Sequence, residues 1–127
     1  MKLGHFLLSL CLLTTVTGCI PLLVTSGLAG GIVLSVDTAR LDLDTTIDRA
    51  WEVTYEVLES KGEILSEDSA EGVIRARIQE TSVIAYVARV TYDSGDTSVW
   101  VDISARRKAL PHVDMAFEII NEIQGRI

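Results

Sequence analysis

Residues 3–36 contain no side chain that is ionised at neutral pH. All 18 acidic residues, and the bases other than Lys2, therefore lie from Asp37 onward. The positive mean hydropathy, +0.33, belongs to the leading stretch, and the remainder reads as an acidic, ordinary soluble sequence. Basic residues form no stripe, which argues against a nucleic-acid binder, since that needs cations to displace the counterions of phosphates. The chain also lacks GxSxG, a Walker loop, HExxH and GxGxxG, so the known catalytic signatures find nothing. Its 127 residues suit one domain and leave no room for a second core.

What is present begins with a leader. Lys2 supplies a short basic start, residues 6–16 (FLLSLCLLTTV) are apolar, and small residues precede Cys19, the pattern of a secretory signal peptide. The apolar part is too short for a spanning helix, which needs about 20 residues. An uncleaved helix over 6–36 is the competing reading; Pro21 and the glycines at 18, 27, 30 and 31 weigh against it.

Val16, Thr17, Gly18 and Cys19 resemble the bacterial lipobox. The resemblance implies cleavage between Gly18 and Cys19, diacylglycerol on the Cys19 sulfur (an N-acyl diglyceride cysteine), and attachment to the lipid bilayer. Two or more acyl chains, at about 0.8 kcal/mol per buried methylene, anchor durably where one does not. Cutting there removes Lys2 and leaves 10 bases against 18 acids, a net charge of −8. Cys11 leaves with the signal and acylated Cys19 is not a free thiol, so disulfides, thiol nucleophiles and zinc thiolates are excluded. The expected division is a signal peptide over 1–18, a lipidated cysteine with an apolar glycine-rich tether over 19–37, and one α+β domain over 38–127. Residues 20–36 have two readings: lying in the lipid interface, or packing on the domain.

Within the domain, ARLDLD at 39–44 alternates as a half-buried strand. Thr45 and Asp48 stand as a capping box, and Ile47, Ala50, Trp51, Thr54, Val57 and Leu58 recur at helical spacing until Gly62. Strands are expected near 63–67, 72–79, 83–92 and 97–105, with turns at EDSAEG and DSGD. Setting Tyr92 opposite Thr97 pairs Val90 with Val99, Ala88 with Val101, Tyr86 with Ile103 and Ile84 with Ala105 on an apolar core face. Ile74, Ala76 and Ile78 join that face, through an odd-length connection around 80–82, and Arg75 and Arg77 point outward. Leu110 and Pro111 open a closing helix that buries Val113, Ala116, Phe117, Ile120 and Ile123. The expected fold is a two-layer α+β domain, an antiparallel sheet of about five strands on two helices in the order β-α-β-β-β-β-α.

A Trp-bearing helix closed by glycine (Trp51, Leu58, Gly62), a meander containing Gly72 and a final helix, all after the lipobox, resemble a family of small bacterial lipoproteins of unknown function. The likeness runs from Cys19 to the C-terminus. More faintly, the chain is similar to helix-grip domains of outer-membrane lipoproteins that accompany the barrel-assembly machinery. Neither resemblance implies a catalytic residue.

Candidate chemistry is sparse. His112 stands beside Pro111 with no Cys or second His nearby, a surface or capping position rather than a metal ligand or base. Asp93 and Asp96 bracket a turn without the further oxygens a calcium site needs, and Glu67, Asp68 and Glu71 crowd another turn as solvated carboxylates. No metal or cofactor is expected. The register above places Val73, Arg89 and Trp100 in one row on the outer face, with Val83 and Val87 nearby. That row reads either as a partner anchor or as Arg89 covering Trp100 by cation–π stacking. Arg106, Arg107 and Lys108 are the basic cluster, a solvated strand end or a contact for headgroups or an acidic partner. The sequence thus points to a non-enzymatic envelope lipoprotein that meets protein partners. Ile20 after the cysteine favours, by the bacterial sorting rule, the inner leaflet of the outer membrane, facing the periplasm. The alternative is a carrier or sensor of a small apolar ligand held between sheet and helices; a small hydrolase would need convergent polar groups on the core side.

Overall fold

The alternating segment at 39–44 forms a strand whose Ala39, Leu41 and Leu43 are buried while Arg40 and Asp42 stand on the opposite side. The computed structural model describes residues 31–127, so Gly18, Cys19, the signal segment and most of the tether lie outside the described residues. The elements are β1 (Ile32–Leu34), β2 (Thr38–Leu43), α1 (Ile47–Lys61), β3 (Glu63–Asp68), β4 (Val73–Ile78), β5 (Thr81–Thr91), β6 (Thr97–Arg107), β7 (Leu110–Pro111) and α2 (Val113–Arg126). They build an antiparallel sheet in the order β1-β2-β6-β5-β4-β3, with β7 paired to β6, and both helices pack on one face.

The α+β class is as expected, but the sheet has seven strands rather than about five, and the element order is β-β-α-β-β-β-β-β-α. The two additions are short. β1 comes from the uncharged stretch read as tether, where three apolar residues suffice to pair with β2. β7 comes from Leu110 and Pro111, which continue a hairpin instead of opening the helix. The two-residue turn before β7, Lys108 and Ala109, has positive φ at both positions (50° and 64°), matching the right-handed twist of the flanking strands.

Helix α1 buries Ala50, Val53, Thr54, Val57 and Leu58, and Ile47 and Trp51 pack partly against the core. Its cap is Thr46, one residue beyond the expected Thr45; its hydroxyl accepts from the Arg49 amide at 3.2 Å. Gly62 ends it for want of space: a Cβ there would lie 2.2 Å from the Arg77 carbonyl oxygen. Helix α2 buries Ala116, Ile119, Ile120 and Ile123; of the residues expected there, Val113 is only half-buried and Phe117 is 39% exposed, its place taken by Ile119.

The β5–β6 register differs from the expected one by a single residue. Gly95 adopts φ 87°, and the Tyr92 amide donates to the Asp96 carbonyl at 2.8 Å, closing a three-residue loop at 93–95 instead of four. Thr91 then faces Thr97, and Val83, Ala85 and Val87 meet Ala105, Ile103 and Val101 on the core face. Ile84, Tyr86, Ala88 and Val90 turn outward. A slip of one residue exchanges every side chain between faces, and β5, apolar on both sides, does not resist it. The β4–β5 connection changes with it: Ile78 faces Thr81 across the two residues Gln79 and Glu80. Ile74, Ala76 and Ile78 face the core and Arg75 and Arg77 face outward, as the alternation of β4 requires.

Candidate functional site on the open sheet face

Both helices cover one side of the sheet, so the other side is bare of any further element among the described residues. The strand registers set Val73, Tyr86, Asp102, Arg40 and Val33 in one row across it. The next row holds Ala88, Trp100, Asp42 and Gly31.

Arg40 and Asp102 are directly opposite on β2 and β6, and their side chains form a two-pronged ion pair. Nε donates to Oδ1 at 2.6 Å and Nη2 to Oδ2 at 2.7 Å. The hydrogen bond to Asp102, with that carboxylate's charge, raises the Arg40 pKa further against the opposing effect of burial, so the cation is fixed. The guanidinium also lies over the indole of Trp100, 4.1 Å from the ring centroid. From there a polar chain leads to the sheet end. Trp100 Nε1 donates to the Tyr92 hydroxyl at 3.3 Å, which donates to Asp42 Oδ2 at 3.2 Å and lies 3.3 Å from Ser98 Oγ. Tyr86 stands beside this cluster, 45% exposed and without a ring partner among the described residues.

Of the residues grouped from the sequence, Trp100 and Val73 are on this face, but in different rows, and Val73 is nearly fully buried. Arg89 is a correction: it pairs with Val99 on the helix-facing side and sits in a depression of about 270 Å³ beside Thr45 and Thr46, where α1 begins. Val83 and Val87 are likewise core residues. The cation stacked on Trp100 is Arg40, whose outward position was readable in ARLDLD; its proximity to Trp100 depends on β2 joining β6, a contact of long sequence separation.

The other candidates serve local structure. Asp68 Oδ1 accepts from the amides of Ala70 and Glu71, both at 3.0 Å, and Ser94 donates to Asp96 within its turn. Arg106 and Arg107 are paired with Asp37 and Glu80 at 2.8 and 3.2 Å. His112 is the half-buried cap residue of α2, and its side chain makes no capping hydrogen bond. Among the described residues, no group of three or more His, Cys, Asp or Glu is placed to hold a metal ion. An open depression of about 520 Å³ at the sheet end is lined by Gly31, Asp42, Asp44, Tyr92 and Asp96, and the smaller one opens between the sheet end and the start of α1. Among the described residues no helix is long and apolar enough to cross a membrane.

No protein-family model and no curated protein matches this chain.

Proposed function

We propose that the protein is a non-enzymatic envelope lipoprotein, held to the bilayer through Cys19, whose small domain meets a protein partner through the open sheet face. The observation that carries this reading is the asymmetry of the sheet: one side is fully committed to two helices, and the other presents an ordered Trp100–Arg40–Asp102–Tyr92 cluster beside exposed Tyr86. Side chains already fixed by ion pair, stacking and hydrogen bond lose little freedom on binding, which favours association. Tyr and Trp offer large contact area with few rotatable bonds. The lipobox resemblance supports the anchor, and the outer membrane follows from Ile20 by the sorting rule alone. The ligand-carrier alternative needs an apolar cavity under the sheet, and no feature of the described residues favours it.

The test is chemical crosslinking of the intact protein in its own envelope. Tyr86→Ala leaves the core and the Arg40 cluster in place and should abolish the crosslinked partner band; Trp100→Ala, which removes the stacking platform, should do the same. A partner set unchanged in both variants would reject the outer face as the binding surface.

A further inference from the structure

The two edges of the sheet are unlike. β3 carries Glu63, Glu67 and Asp68 and a register shift between Ile64 and Ser66, both devices that discourage strand addition. β1 reads Ile-Val-Leu and has no charge from Gly31 to Val36, with Val33 61% and Leu34 51% exposed. Of the carboxylates nearby in the sheet, Asp37 is paired with Arg106 and Asp102 with Arg40, while Asp42, opposite Gly31, accepts a hydrogen bond from the Tyr92 hydroxyl. The strand itself thus carries no charge although the whole chain is acidic.

Which backbone groups of β1 are left unpaired among the described residues follows from its pairing. The Gly31 carbonyl accepts from Asp42 and the Ser35 amide donates to Thr38, and Val33 stands opposite Arg40. Residues 31, 33 and 35 thus direct their N–H and C=O toward β2. By the two-residue alternation of an antiparallel ladder, Ile32 and Leu34 direct theirs out of the sheet. We propose that this edge pairs with β1 of a second copy, antiparallel, about a two-fold axis through Val33. Ile32 of each copy then exchanges both backbone hydrogen bonds with Leu34 of the other, and Val33 meets its own equivalent. Every cross-strand pair is aliphatic and the sheets of the two copies become continuous.

A second copy fits better than an open array for a geometric reason. Pairing of β1 with β3 would be head to tail, would set the shift-bearing charged edge against an apolar strand, and would close only where its rotation completes a ring. Pairing of β1 with itself closes at two. In that dimer the two Gly31 positions lie within about 15–20 Å of each other, two residues to either side of the axis, so both chains enter near the dyad. This inference stands apart from the partner surface proposed above, because it uses the edge and not the face.

A pairing of three residues buries little area and is weak at low concentration, so the test traps it covalently. Across a non-hydrogen-bonded pair the Cα atoms lie about 4.5 Å apart, within the range a disulfide spans. The full chain carrying Val33→Cys, oxidised in envelope membranes, should give a disulfide-linked dimer above the level of the unaltered chain. Glu67→Cys, on the other edge, should give none. Adding Leu34→Pro to Val33→Cys removes one outward N–H without touching a bond to β2, and the dimer should be lost, with circular dichroism checking that the fold is kept. A Val33→Cys dimer no stronger than that of Glu67→Cys overturns the proposal, as does one that survives Leu34→Pro in a folded chain. Pairing of β1 with residues before Gly31, or with a foreign strand, would appear as the first of these. If Leu34→Pro unfolds the chain, the comparison of the two cysteine variants decides alone.

Discussion

Gly72 combines two demands that no other residue meets. Its φ of 71° lies in the left-handed region, and a Cβ would fall 2.3 Å from the Val87 carbonyl oxygen, while its own carbonyl accepts from the Val87 amide at 2.8 Å. Backbone contacts cannot yield as a flexible side chain can. Gly72→Ala should therefore lower stability by roughly 2–3 kcal/mol, the strained dihedral alone costing about 1–2, read as a fall in the urea midpoint. Gly95→Ala separates the two causes: its φ is 87° but the space around it is open, so it should cost only the dihedral part. Equal losses in the two variants would show that the Val87 contact contributes nothing. The same scale explains the outer cluster: Arg40 reaches both Asp102 and Trp100 because its fork and its flat face act at once, and a lysine could not do both.

The helices illustrate how elements are joined. Lys61, in the last turn of α1, donates to Glu122 at 2.8 Å and Glu118 at 3.1 Å on α2, and Glu122 is also held by Arg126 at 2.6 Å. At the other end Arg49 donates to the Arg126 carbonyl at 3.1 Å. The hydrogen bond from Lys61, with the neighbouring charges, holds the Glu122 carboxyl below its ordinary 4.5, while the same bond raises Lys61 above 10.5. A depressed carboxylate stabilises the fold above its unfolded pKa, and that contribution disappears as pH falls through the lower folded value. A raised ammonium is complete below 10.5 and lost as pH rises beyond it. Glu122→Gln should thus cost about 0.5–1 kcal/mol at pH 7 for such a partly exposed pair. Its deficit relative to the unaltered chain should shrink on acidification below 4.5, measured by urea midpoints at each pH. A deficit independent of pH would exclude the ion pair as its source.

Periodicity made α1 legible: Ile47, Ala50, Trp51, Thr54, Val57 and Leu58 follow one face, and that face is the one in contact with the core. It failed on β5, where Val83, Ala85 and Val87 on one side and Ile84, Tyr86, Ala88 and Val90 on the other are equally apolar. There the left-handed Gly95 sets the loop length, and the loop length sets the face.

For the molecule as a whole, the described chain enters at Gly31, at the sheet end that also carries Asp42, Asp44 and Asp96. Arg106, Arg107 and the Lys108 turn lie at the opposite end, about 30 Å away along β6. The basic cluster is therefore at the end remote from where the described chain enters, and both arginines there are already paired. The anchor itself is tested by Cys19→Ala, which should move the protein from the membrane fraction to a soluble or uncleaved form on fractionation and gel mobility. Unchanged partitioning and mobility would reject lipidation.

The sequence by itself determined the α+β class, the stripe of α1, and the inward and outward residues of β2 and β4, because each is written in local period and charge. Tertiary structure alone decided that Ile32–Leu34 would close one edge, that β5 would place Tyr86 on the open face and Arg89 on the helix-facing side, and that Arg40 would reach Trp100. The first two depend on turns between neighbouring strands, where a single left-handed glycine shifts the register for a whole hairpin, and the third on β2 joining β6 far along the chain.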